Sequence, residues 1–300
     1  MIVYSLLLIT LLLAFVSLWL VWKGRPSGKF LGIVLAGFVY LYGTWLYVSV
    51  YGRYVFGALA LGLLAASLLR RRAHRDDRKS IAVGHASVSI LLLALIVLYF
   101  TGTRNPSKAV ELQFPLHRGK YLVFQGGRGM PTNLFHSFSG NGALSFDLVR
   151  LYPSGNRARG IFSKRLSDYA IFGDTVFAPC AGRVGRVRSD NPDNIPPERK
   201  RGPSNLNGFV IETDGFHVFL GHFSQGGVFV QEGDVVEPGD PLGLVGNSGW
   251  SIEPHLHIQA HVNSGPGQPW WSEEPVLIHF DGEEYRLFEV ITPKEVPMKL

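Results

Sequence analysis

The chain has one cysteine, Cys180, in 300 residues, so no intramolecular disulfide can hold it together. The surrounding Phe177-Ala178-Pro179-Cys180-Ala181-Gly182 suits a small residue packed at a turn into a strand, and Cys180 is read as structural. The lack of disulfides does not exclude an oxidising compartment. Acidic residues are nearly missing from the first third: residues 1–104 hold two, Asp76 and Asp77, against 11 Lys and Arg. Residues 105–300 hold 21 Asp and Glu against 18 Lys and Arg, so the formal net charge of +6 belongs entirely to the first segment. A nucleic-acid partner is excluded on that split, because the basic residues sit between apolar runs and the remainder is mildly acidic. The apolar runs contain no carboxylate and no paired charges, which argues against a transporter. Lysine is absent between Arg201 and Lys294, which removes a lipoyl- or biotin-carrying barrel from consideration.

What the first third does contain is hydrophobic length. The whole chain is 46% hydrophobic and 17% charged, and the apolar excess lies before Thr101. Four runs, about 1–22, 30–52, 54–69 and 81–100, read as transmembrane helices. The first lacks a positive start and a small-residue cleavage site, so it reads as an anchor and not as a cleaved signal. Lys23, Arg25 and Lys29 lie between the first two runs, and only Arg53 lies between the second and third. Arg70, Arg71, Arg72, Arg75, Arg78 and Lys79 lie between the third and fourth. Loops rich in Lys and Arg stay in the cytoplasm, so everything after Phe100 is expected outside, with the lipid bilayer as a partner. His85, one turn into the fourth run, is read as an ordinary neutral histidine near the interface.

The chain thus divides into a membrane region, 1–104, and an extracytoplasmic domain, 105–300, with a core at about 120–265. Residues 101–115 read as a short polar connector. Beyond it, short runs at 120–124, 183–188, 209–213, 217–220 and 255–260 are rich in Val, Ile and Phe and bounded by Gly, Pro, Asn and Asp, the pattern of a mainly β domain. No convincing helical period is present there. The stretch 230–243 places Gly-Asp at two consecutive corners, Gly233-Asp234 and Gly239-Asp240, stiffened by Pro238 and Pro241.

The chemistry concentrates in Glu253-Pro254-His255-Leu256-His257-Ile258. On a strand His255 and His257 share a face, and two imidazoles at that spacing suit a transition metal with at least one as ligand. An isolated His-x-His is more often a half-buried structural pair, so the surroundings decide. A hydrolytic zinc needs about three protein ligands and an open position. His136 and Asp147 are the further candidates, since Asp147 lies in an apolar run where an unpaired carboxylate is costly and a metal or a salt bridge would relieve it. His222 ends another strand, in Gly221-His222-Phe223.

These residues, over about 122–260, resemble the lysostaphin-like zinc metallopeptidases, which cut peptide bonds of bacterial peptidoglycan. The likeness rests on the upstream His and Asp, the turn Asp174-Thr175-Val176-Phe177-Ala178-Pro179, Gly221-His222-Phe223, the double Gly-Asp corner, and Gly246-Asn247-Ser248-Gly249 leading to Pro254-His255-Leu256-His257. The resemblance implies an antiparallel β domain binding one zinc through His136, Asp147 and His257, with His222 and His255 as the catalytic pair, one deprotonating water and the other steadying it or the oxyanion. It also implies peptidoglycan peptides as substrate and room for a cell-wall partner protein; with the apolar runs and loop charges, this gives a multi-pass protein of the bacterial inner membrane whose domain is expected to face the periplasm or wall. Many members have the His and Asp four residues apart; here eleven separate His136 from Asp147. Asn133 is read as helping to position that loop, His261 as a neighbour of the site, and His117, His217 and His279 as structural or surface residues. The competing reading is a non-enzymatic domain of the same fold that activates a cell-wall hydrolase; all five positions being present weighs against it. A third reading, a sensor or transporter with an external binding domain, fails on the missing intramembrane charge.

Overall fold

The computed structural model describes residues 2–70, 78–138, 142, 144–198, 202–265 and 269–294. The chain forms two compact units, Met1–Thr101 with Ser154–Asn156, and Gly102–Pro153 with Arg157–Leu300. The loop residues Arg71, Arg72 and Arg75, on which part of the expected orientation rests, lie outside the described residues.

The first unit is four helices, α1 (Ile2–Lys23), α2 (Pro26–Tyr42), α3 (Gly52–Leu69) and α4 (Lys79–Thr101). Three of them, α1, α3 and α4, are long and apolar enough to cross a membrane, against the four expected. The exception is α2. Its 17 residues rise about 26 Å, short of the ~30 Å hydrocarbon thickness. The expected run 30–52 is displaced because Pro26 opens the helix four residues earlier and the backbone leaves it at Gly43. There Gly43 N–H donates to the Val39 carbonyl at 2.9 Å, and the Trp45 indole N–H donates to the same carbonyl at 3.0 Å. Val34, Leu35, Ala36 and Val39 of α2 pack with Ala14, Phe56 and Leu92 in the core of this unit.

The second unit is built on strands. In chain order they are β1 (Ala109–Leu112), β2 (Lys120–Gln125), then a five-residue helix α5 (Leu134–Phe138), β3 (Phe146–Leu151), β4 (Thr175–Phe177), β5 (Gly182–Val184), β6 (Gly208–Glu212) and β7 (Phe216–Gly221). They continue with β8 (Phe223–Val228), β9 (Val235–Val236), β10 (Pro241–Val245), β11 (Leu256–Val262), β12 (Pro275–Phe280) and β13 (Val290–Ile291). The large sheet runs β13-β2-β3-β11-β7-β6-β5-β9, with β12 beside β11 and β1 beside β12; β4-β10-β8 form a second, three-stranded sheet. Pairing is antiparallel except for β1 with β12. Two expectations change here. The connector 101–115 contains strand β1, and the core of the domain, expected at about 120–265, extends past residue 265, since β12 and β13 complete the sheet.

Alternation on β11 decides which face carries the chemistry. Leu256, Ile258 and Ala260 are buried in the core with Leu148, Val218, Leu220 and Phe223. His257, Gln259 and His261 therefore share the other face. Each fully buried aliphatic side chain stabilises by roughly 1.5–3 kcal/mol, so a one-residue slip, which would exchange the faces, is strongly disfavoured. Both Gly-Asp corners turn alike: Asp234 Oδ2 accepts from Gln231 N at 2.8 Å and Asp240 Oδ2 from Glu237 N at 2.7 Å. Gly233 and Gly239 supply the positive φ angles of +96° and +90°.

Candidate metal centre

The register of three strands assembles the site. His257 on β11 faces Asp147 on β3 and Gly221 on β7 in direct cross-strand positions. The chain then kinks at His222, a non-glycine residue in the left-handed region with φ +69°, between the end of β7 and the start of β8. Such a backbone costs of order 1–3 kcal/mol and persists only where neighbours hold it. Here Gly246 N donates to His222 O at 2.8 Å and the ring itself is bonded to the next loop. His255 sits immediately before β11, and His136 enters from α5. Five residues are too few to carry a helical period, so α5 has no signature in the sequence.

Asp147 is the hub. Its Oδ1 lies 3.0 Å from His257 Nδ1 and 3.5 Å from His255 Nε2, and its Oδ2 lies 3.4 Å from His136 Nε2. The rings of His222 and His255 are 4.4 Å apart between centroids, and those of His136 and His257 4.9 Å. All five expected site residues are therefore brought together. Asp147, His222, His255 and His257 are each 9% exposed or less.

The far nitrogen of each ring fixes its tautomer. His136 Nδ1 donates to Asn133 Oδ1 at 2.8 Å, and the Asn133 amide is oriented by its own Nδ2 bond to Ser145 O at 2.7 Å. His222 Nδ1 donates to the Ser248 carbonyl at 2.7 Å, and His255 Nδ1 to the Glu253 carbonyl at 2.8 Å. His257 Nε2 meets Gln259 Oε1 at 3.0 Å. A carbonyl can only accept, so these nitrogens carry protons, and in a neutral ring the opposite nitrogen presents a lone pair. Burial pushes the imidazolium of His136 down to about 4, Asp147 opposing the shift and His257 and His255 adding to it. His222 is held well below 6.5, by burial first and then by His255 and His257. Burial works against ionising Asp147, but the surrounding His136, His255 and His257 outweigh it and keep the carboxylate ionised.

The neutral His136 ring aims a lone pair at the Asp147 carboxylate across 3.4 Å with no proton to share, and a cation between them resolves the conflict. The donor set fits zinc. One donor atom each from His136, Asp147 and His257 lie within 4.8 Å of one another, the one such group among the described residues. Two ~2.0 Å bonds at a tetrahedral angle would separate their donor atoms by about 3.3 Å, close to the 3.4 and 3.0 Å found here.

The remaining described histidines do not join. His261 donates from Nδ1 to Glu273 O at 2.8 Å and meets Trp270 edge-on, cross-strand from His217. His279 pairs with Glu111, His117 stacks on Phe177, and His85 bonds Ser27. Burial raises the Cys180 thiol to about 12, which disfavours the nucleophilic thiolate. Sequence reasoning missed Gln259, Ser248 and Glu253. Gln259 was findable, two residues beyond His257 on the same face; the other two act through backbone carbonyls, which leave no trace in residue type.

Residues 167–269 match the sequence model of peptidase family M23. This chain carries an M23 peptidase domain. The match takes in His222, His255 and His257 and begins after His136 and Asp147, so geometry alone unites those two with the M23 segment. Solved structures similar to the chain include the catalytic domain, as a point mutant, of the prophage-encoded M23 protein EnpA from Enterococcus faecalis, at 22% identity and TM-score 0.34, covering 55% of this chain and 94% of that one. A zinc-containing peptidase from Vibrio cholerae is similar at 19% identity and TM-score 0.29, over 55% of this chain and 39% of that one. A putative peptidase M23 from Pseudomonas aeruginosa is similar at 17% identity and TM-score 0.31, over 57% and 50%. The chain thus spans half or less of the latter two, and at these scores nothing those proteins bind carries over to the M23 domain here. No curated protein matches the chain.

Proposed function

We propose that this protein is a zinc-dependent endopeptidase, anchored in a membrane by its N-terminal helices, that hydrolyses peptide bonds of bacterial peptidoglycan. The observation that carries the reading is the convergence of three imidazoles on Asp147, with the ring of His222 against two of them, each with its far nitrogen bonded to an oxygen. His136 would hold the ion through Nε2, His257 through Nδ1 and Asp147 through its carboxylate, a three-ligand set that leaves a position open. When bound there, zinc polarises a peptide carbonyl and acidifies a water molecule beside it.

The chain's own residues supply the proton transfers. His222 and His255 are not needed as ligands, and each keeps a lone pair at Nε2. Because burial keeps the His222 ring neutral near pH 7, it can accept a proton there. Between them the pair takes the proton of the attacking water, steadies the oxyanion, and returns a proton to the departing amine. The Ser248 and Glu253 carbonyls hold the rings in the one tautomer that allows this. The M23 match supports the substrate class. The helices α1, α3 and α4 support the membrane anchor, and the basic stretch 70–79 between α3 and α4 supports a domain outside the cytoplasm.

The test is digestion of purified peptidoglycan by the zinc-loaded protein, with products read by mass. New amino and carboxyl ends on stem peptides or cross-links are expected. A protein that holds one zinc and releases nothing would leave only the activator-module reading.

A further inference from the structure

Arg157 is the bulkiest fully buried side chain among the described residues, and the sequence gives no reason for it. Its Nε donates to Glu253 Oε1 at 2.7 Å and one Nη to Glu253 Oε2 at 2.6 Å, a bidentate fork with 1% and 0% of the two side chains exposed. The same Nη reaches the Ile161 carbonyl at 3.0 Å, and the Tyr169 ring lies 5.9 Å from the guanidinium. A pair this buried adds little net stability, since desolvating two charges costs about what their attraction returns, and apolar residues would fill the core as well. What a planar fork supplies is a fixed position.

The position that matters is one bond away from the carboxylate's own backbone. The Glu253 carbonyl takes the Nδ1 proton of His255 at 2.8 Å, with Ser251 Oγ 2.8 Å from the same carbonyl and 3.2 Å from that nitrogen. Pro254, between the two, limits the backbone's freedom to compensate. We propose that Arg157 is a positioning residue: its fork on Glu253 holds the carbonyl that locks His255 with its Nε2 lone pair toward Asp147. This rests on the reading of His255 as one of the catalytic pair.

The experiment uses the full chain, purified in detergent with zinc bound. Arg157→Ala strands a carboxylate in the core, so the deciding variant is Arg157→Met/Glu253→Leu, which removes both charges and keeps the volume filled. Zinc content and melting temperature should stay close to wild type. On dye-labelled peptidoglycan KM should hold within about twofold while kcat falls roughly 10–100-fold. In ¹⁵N-histidine spectra the His255 signals, assigned by difference against His255→Gln, should change from a single Nδ1–H tautomer to a mixture. If the double variant does not fold, Arg157→Lys, which keeps the cation and loses the fork, is read the same way. A folded, zinc-holding variant with wild-type kcat and an unmixed His255 tautomer overturns the role of Arg157. His255→Ala, measured alongside, separates the two ideas: cutting at the wild-type rate there removes His255 from the reaction altogether.

Discussion

Replacing Asn133 separates the metal reading from a merely structural cluster, because its amide does two distinct jobs. Its oxygen accepts the Nδ1 proton of His136, and its nitrogen donates to the Ser145 carbonyl next to Phe146, the first residue of β3. Asn133→Ala removes both. Losing the acceptor lets His136 change tautomer and swing, which should weaken zinc binding roughly 10–100-fold, about 1.4–2.8 kcal/mol. Losing the donor leaves Ser145 O without this partner in a buried setting, a further ~1–3 kcal/mol against the fold. Asn133→Asp splits the effects: a carboxylate still accepts from His136, and more strongly, but turns an oxygen toward Ser145 O. Zinc affinity should then equal or exceed wild type while the metal-free protein melts lower. Affinity is read by chelator competition and stability by thermal unfolding without metal. If Asn133→Ala holds zinc within about threefold of wild type, or if Asn133→Asp weakens it as much as alanine does, the tautomer argument is wrong.

Single substitutions His136→Ala, Asp147→Ala and His257→Ala should each sharply lower bound zinc, whereas His222→Ala and His255→Ala should keep it and lose about two to four powers of ten in rate; stoichiometric zinc in a His136→Ala/Asp147→Ala protein would refute the ligand set. Burial raises the Asp174 carboxyl to about 6, against the opposing pull of Arg150 and a hydrogen bond from Tyr121. The folded state therefore binds this proton more tightly than the unfolded one, so its stabilising contribution is full below about pH 4 and is lost as pH rises through 6, a change on the order of 3 kcal/mol. Asp174→Asn, which keeps the uncharged form, should gain on wild type by that amount between pH 4 and 7; equal pH dependence of the two unfolding curves would rule this out. For topology, a reporter active only outside the cytoplasm should work when fused after Arg104 and be silent after Arg75, and the reverse result would remove peptidoglycan as the substrate.

Much of this protein was decided locally. A strand's period of two settled which residues of β11 face the core, and the same rule made His257 and Gln259 neighbours. The Gly-Asp corners were legible because a carboxylate accepting from the backbone N–H three residues before it closes a turn without help from the rest of the fold. Apolar length marked α1, α3 and α4. It misjudged α2, which ends at Tyr42 inside the uncharged run 30–52: the backbone turns extended at Gly43, a break that apolar composition does not mark. Residue type named His136, Asp147, His222, His255 and His257 as candidates, but only the pairing of β3, β11 and β7 could bring them around one carboxylate. The tautomers were decided later still. They depend on the Ser248 and Glu253 carbonyls, and every residue has a carbonyl, so nothing short of the tertiary structure could say which ones would be pointed at a histidine.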